Sequence, residues 1–158
     1  MVDNPIPKVL LDTNVVIDYL LEREPFVDDA EEVIRYTVDY ESNPAMSASA
    51  VTDVFYVISR YTKSRDASIK LLDKLLFYVR VVDTLANDVY CALGSDMEDY
   101  EDAVVAQVAL SGRFDYIVTR NTRDYKYGPV PAITPKELLA KLDELGIGPI
   151  RYSGDGER

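Results

Sequence analysis

The chain has 158 residues, one cysteine, no histidine, and 28 acidic against 17 basic side chains, for a net charge of −11. A chain of this length supports one domain, expected over residues 1–150 with a polar tail at 151–158, and buries about two thirds of its unfolded surface without staples. The missing histidine excludes Ser-His and Cys-His nucleophile systems and the usual zinc ligands, the negative charge opposes long-range attraction to nucleic acid, and no apolar run reaches the length of a membrane span.

The first element is the apolar run ending at Leu11, which reads as a short buried strand followed at once by Asp12, Thr13 and Asn14. Asp12 or Asn14 can cap the helix that continues through Val15, Val16 and Ile17, and Asp12 can equally stand at a ligand-binding sheet edge. Pro25 stops that helix. A second helix is predicted from Asp28 to Tyr40, and Ser42-Asn43-Pro44 breaks it. Ala45–Ala48 reads as a second strand. A third helix from Ser49 carries Val51, Val54, Phe55, Ile58 and Tyr61 on one face, with Asp53 beside that face. Asp53 is there either as an ordinary acid near a helix N-terminus or as a site residue.

Asp66 to Tyr78 has the spacing of an amphipathic helix with Ile69, Leu72, Leu75 and Leu76 inward, and Val79–Val82 follows as a strand. Thr84 is placed to cap the helix running up to Gly94. Cys91 lies in that helix without a partner, which together with the absence of a signal peptide predicts a reducing, cytoplasmic setting. The most acidic stretch, Ser95 to Asp102, runs into an apolar helix that Gly112 ends, and acids in a first helical turn suit the helix dipole. Tyr116–Thr119 is a buried strand opening into the polar turn Arg120–Tyr125. Ala132-Ile133 is the last strand, and Thr134, Pro135 and Glu137 open the final helix as a capping box. Strands alternating with helices predict a three-layer α/β/α fold, Rossmann-like, with a short central parallel sheet.

In such a sheet Asp12, Asp53, the pair Asp99 and Asp102, and the turn with Asn121 and Asp124 emerge at one edge. Clustered carboxylates are costly unless neutralised, so convergence implies a bound cation, and an all-oxygen donor set suits Mg²⁺ or Mn²⁺. Metal-assisted hydrolysis is the chemistry such a set supports. Arg120, Arg123 and Lys126 can hold RNA phosphates locally or form a solvated loop. The tyrosines offer stacking faces, although Tyr36, Tyr56 and Tyr61 fall at core spacing.

The segments Leu10–Asn14, Ser47–Asp53, Asp99–Ala103 and Ile117–Tyr125 resemble the successive acidic motifs of PIN domains, in that family's order, over roughly residues 7–140. The resemblance implies a metal-dependent nuclease, often the VapC-type toxin of a toxin-antitoxin pair that cleaves RNA. By position it makes Asp12 and Asp102 the principal metal ligands, puts Asp53 at the second acidic motif and Asn121 with Thr119 at the fourth, so that Asp12, Asp53 and Asp102 are expected to hold the ion for catalysis with Asn121 in support. Asp99 and Asp124 are nearby supporting acids, with Thr13 and Asn14 beside Asp12. It also implies a small basic antitoxin protein as partner and a homodimer. The alternative is a catalytically idle PIN-like binding module whose acidic surface engages a basic protein partner.

Overall fold

In the computed structural model, which describes residues 6–36 and 44–147, side-chain alternation along the short strands sets the layers. Strands β1 (Val9–Leu11), β2 (Ala45–Ser47), β3 (Arg80–Val82), β4 (Tyr116–Val118) and β5 (Ala132–Ile133) form one parallel sheet ordered β3-β2-β1-β4-β5. Leu10 pairs with Ala45 on one side and Ile117 on the other, so β1 is central. Both of its faces are covered, which is why its residues form an unbroken apolar run.

Val9, Leu11, Met46, Val118 and Ile133 turn to one face. There they meet α1 (Thr13–Leu20), α2 (Val27–Arg35), α3 (Ala48–Thr62), α4 (Arg65–Tyr78) and α7 (Pro135–Glu144). Leu10, Ala45 and Ile117 turn to the other, against α5 (Ala86–Ala92) and α6 (Tyr100–Ser111). Ala103, Ala106 and Ala109 are buried along α6, and their short side chains let that helix lie close on the sheet. The expected three-layer α/β/α architecture is therefore the observed one.

Several details differ from the periodicity. Thr84 does not cap α5; its Oγ1 accepts from the Ser49 N–H at 3.2 Å, while Asp88 satisfies the backbone N–H of Leu85 at the helix start. Ile69 and Leu76 are exposed, because they lie on the outer side of α4, which buries a stripe around Leu75. Tyr36 is buried, but Tyr56 and Tyr61 stand in solvent and do not pack in the core. The second helix ends at Arg35; its expected continuation through residues 37–40 lies outside the described residues, as does the tail 151–158. No helix among the described residues is long and apolar enough to cross a membrane.

Candidate functional site

The parallel sheet delivers the ends of β1, β2 and β4 to one edge. At that edge β1 stops because Asp12 turns its side chain back to cap α1: its Oδ1 accepts from the Thr13 N–H at 2.8 Å. The cap and the candidate site position coincide in this residue. The Asp12 N–H still pairs with the Val118 carbonyl at 2.9 Å, so the carboxyl group is fixed to the sheet itself. Asp12 is 6% exposed.

Thr119, fully buried at the end of β4, donates its hydroxyl to Asp12 Oδ2 at 2.8 Å. That same hydroxyl accepts from Asn14 Nδ2 at 3.0 Å and from the Asn121 N–H at 3.1 Å. Asn14 Oδ1 accepts from the Arg120 N–H at 3.2 Å. Thr13, Asn14 and Thr119 thus form one network that locks the Asp12 carboxyl group and ties β1 to the turn after β4.

Asp102 comes from the first turn of α6, which Asp99 caps by accepting from the Asp102 N–H at 3.0 Å. Burial, with Asp12, Asp99 and Asp124 nearby, pushes the Asp102 carboxyl group up to about 7. Burial also raises Asp12, against the hydrogen bonds from Thr119 and Thr13 that pull it down. The two carboxyl groups line one cleft, and the charge of Asp12 adds to burial in raising Asp102.

Asp12, Thr13, Ser49, Thr52, Asp53, Glu101 and Asp102 line one cleft of about 350 Å³, with part of Tyr100 at its mouth. Asp53 reaches it from the second turn of α3 and is exposed. No lining residue is basic. Asn121 and Asp124 do not line the cleft: Asn121 is exposed and touches the network through its backbone, while Asp124 is felt there through its charge on Asp102.

Arg120 is committed elsewhere. Its Nε donates to Asp18 Oδ2 at 2.6 Å, an Nη to Asp18 Oδ1 at 3.3 Å, and the guanidinium lies 4.2 Å from the centre of the Phe26 ring. Arg120, expected among the RNA-phosphate contacts, makes an ion pair with an acid 1% exposed. Arg123 and Lys126 remain exposed on the same loop.

The residue-by-residue reading did not single out Asp18, Glu101 or Tyr125. Glu101 was legible as the neighbour of Asp102 in an acidic first turn. Asp18 was hidden by its place in an apolar helix, and its partner is 102 positions away.

Among the described residues no three acids stand together as a ready-made metal cage. The donor set nevertheless fits a hard, hydrated divalent ion, which takes one or two carboxylates and keeps several waters. Asp12 and Asp102 are the pair able to provide them, with Asp53 and Glu101 on the cleft wall.

A family model for the PIN domain matches residues 8–123. Among solved structures, PAE2754 from Pyrobaculum aerophilum is 16% identical with a TM-score of 0.63, covering 88% of this chain and 97% of that one. VapBC2 from Rickettsia felis, bound to a DNA fragment from its promoter, is 17% identical with a TM-score of 0.60, covering 80% and 97%. The sarcin-ricin loop cleaving toxin VapC20 of Mycobacterium tuberculosis is 14% identical with a TM-score of 0.57, covering 70% and 87%. At these identities the likeness is one of fold. No curated protein matches the sequence.

Proposed function

The chain belongs to the PIN domain family, and from that premise we propose that it is a metal-dependent endoribonuclease hydrolysing RNA phosphodiester bonds, acting as the toxin of a toxin-antitoxin pair. The observation that carries this reading is the cleft in which Asp12, Asp53, Glu101 and Asp102 meet without any basic residue. Such a surface repels a phosphodiester unless a cation stands between them. Asp12, Asp53 and Asp102, with Asp99 in support, would hold Mg²⁺ or Mn²⁺, which would supply an acidified water and neutralise charge on the phosphate.

The chain's own groups do the rest. Thr13, Asn14 and Thr119 fix the Asp12 carboxyl group so that little reorganisation is needed on binding. Asp53 on α3 and Glu101 on α6 line the cleft, and their carboxylates are the groups that can accept a proton from an attacking water. Asn121 stiffens the turn after β4 through its N–H, and Asp124 adds negative charge near Asp102. Arg123 and Lys126 offer local phosphate contacts beside the cleft.

The toxin assignment draws support from structural neighbours whose names describe VapBC complexes and an RNA-cleaving VapC. It carries with it an antitoxin partner, a homodimer and a cytoplasmic setting. The test is cleavage of a structured RNA by the purified chain with Mn²⁺ or Mg²⁺, beside the same reaction with excess chelator and with Asp12→Asn. Cleavage confined to the metal-loaded wild type supports the proposal; cleavage that persists in Asp12→Asn refutes the site.

The net charge of −11 favours a second reading, an idle PIN-like module that engages a basic protein partner. A protein that captures a basic peptide in a salt-sensitive way, yet binds no divalent ion and cleaves no RNA, is of that kind.

A further inference from the structure

Tyr125 ends the 3-10 turn Thr122–Tyr125, the segment that follows the Thr119 network, and its side chain is 3% exposed. A ring at this position needs no hydroxyl to pack: it lies among Met97, Ala103, Ala106 and Val130 in the apolar layer beneath α6. A buried hydroxyl without a partner is costly, so its presence calls for an acceptor. The acceptor is Asp102, whose Oδ1 accepts from the phenol O–H at 3.3 Å, and Asp12 is near enough for its charge to be felt at the same phenol. The phenol thus stands beside the two acids read as cation ligands.

The rest of the network treats those acids unequally. Asp12 has donors on both oxygens, from Thr13, Asn14 and Thr119. Asp102 has the phenol on Oδ1, and among the described residues no donor reaches its Oδ2. Without Tyr125 the Asp102 side chain is free to rotate about its χ angles and to present either oxygen.

We infer that Tyr125 is a positioning residue for the cation site: by holding Oδ1 of Asp102 it reserves Oδ2 for a divalent ion. This rests on the reading of Asp12 and Asp102 as ligands. Tyr125 acts through Asp102 and touches no substrate. Its ring contributes packing; its oxygen contributes order at the cleft.

The test is Mn²⁺ binding by calorimetry to chelator-treated wild type and Tyr125→Phe, a change that removes one oxygen and keeps the buried ring. Outer hydrogen-bond partners of metal ligands are worth about 10- to 100-fold in affinity, and a weakening of that order is expected here. In RNA cleavage at saturating Mn²⁺, kcat is expected to fall while KM for RNA holds. Ile58→Val, a core change in the layer on the other face of the sheet, serves as control: it lowers the melting temperature and leaves Mn²⁺ affinity alone. Tyr125→Phe that behaves like this control, losing stability at most with Mn²⁺ affinity intact, overturns the inference. Wild type that binds no Mn²⁺ overturns instead the assignment of Asp12 and Asp102, and the role of Tyr125 falls with it.

Discussion

Asp12 does two jobs with one side chain. As the cap of α1 it satisfies an N–H that the helix cannot pair internally, and its charge adds to burial in raising Asp102. Asparagine keeps an oxygen for the cap and drops the charge. Asp12→Asn is therefore expected to melt within a few degrees of the metal-free wild type in a thermal denaturation scan while losing detectable metal binding; Asp12→Ala loses the cap too, at about 1 kcal/mol. Asp102 makes the rim sensitive to pH. Its carboxyl group titrates near 4 when the chain is unfolded and at about 7 in the folded protein. The folded state thus binds more protons between those values, so the contribution of Asp102 to stability is full below the unfolded pKa and is lost as pH rises to about 7, then stays level. Urea midpoints of the metal-free protein are expected to fall from pH 5 to pH 7. Saturating Mn²⁺ should remove the slope by holding the ionised form, and Asp102→Asn should flatten it without metal.

The elements that carry these acids were legible because their signals are local. The apolar run before Asp12, the acidic first turn of α6 and the capping box of Thr134 and Glu137 each lie within a few consecutive residues, and each stands where the pattern puts it. What was hidden depends on distant partners. Asn121 has the motif position of a site residue, yet the turn after β4 sends its side chain to solvent and uses only its N–H. Tyr125 reads as an aromatic at the end of a polar turn, and nothing nearby announces that its hydroxyl meets an acid on α6. Ile69 and Leu76 have helical spacing, but they lie on the outer side of α4, where among the described residues no second layer covers them. The same distinction explains Arg120. As one of three cations in a loop it suggests phosphate, and only the packing of α1 against that loop brings Asp18 within reach. Removing one partner of such a pair leaves an uncompensated charge, so Asp18→Ala should cost about 3 kcal/mol, near the lower end of the usual range because Arg120 keeps some contact with water. Replacing both, as in Asp18→Leu with Arg120→Met, should cost less than the single change, and urea unfolding of the two variants measures the difference.

Across the whole molecule the net charge of −11 sets how a polyanion is met. A nuclease that binds RNA through many lysines and arginines releases counterions on binding and loses affinity steeply as salt rises. Here the cleft is lined by acids and Arg120 is bound to Asp18, which leaves Arg123 and Lys126 as the exposed cations of the loop beside the cleft. Two such contacts give a shallow release term, while repulsion between the acidic body and RNA acts over about one Debye length, near 10 Å at 0.1 M salt. Screening that repulsion speeds encounter as it weakens the few attractive contacts. The two effects oppose each other, so KM for RNA at saturating Mn²⁺ should stay flat or fall between about 20 and 150 mM KCl, the reverse of the behaviour of a basic nuclease. Arg123→Ala with Lys126→Ala should raise KM and remove the remaining attractive dependence, leaving KM to fall more clearly with salt. A steep rise of KM with KCl in the wild type would mean that RNA lies along a basic surface away from this cleft. The same field predicts that a basic partner binds more weakly as KCl is added, so titrating salt separates substrate from partner on one preparation of protein.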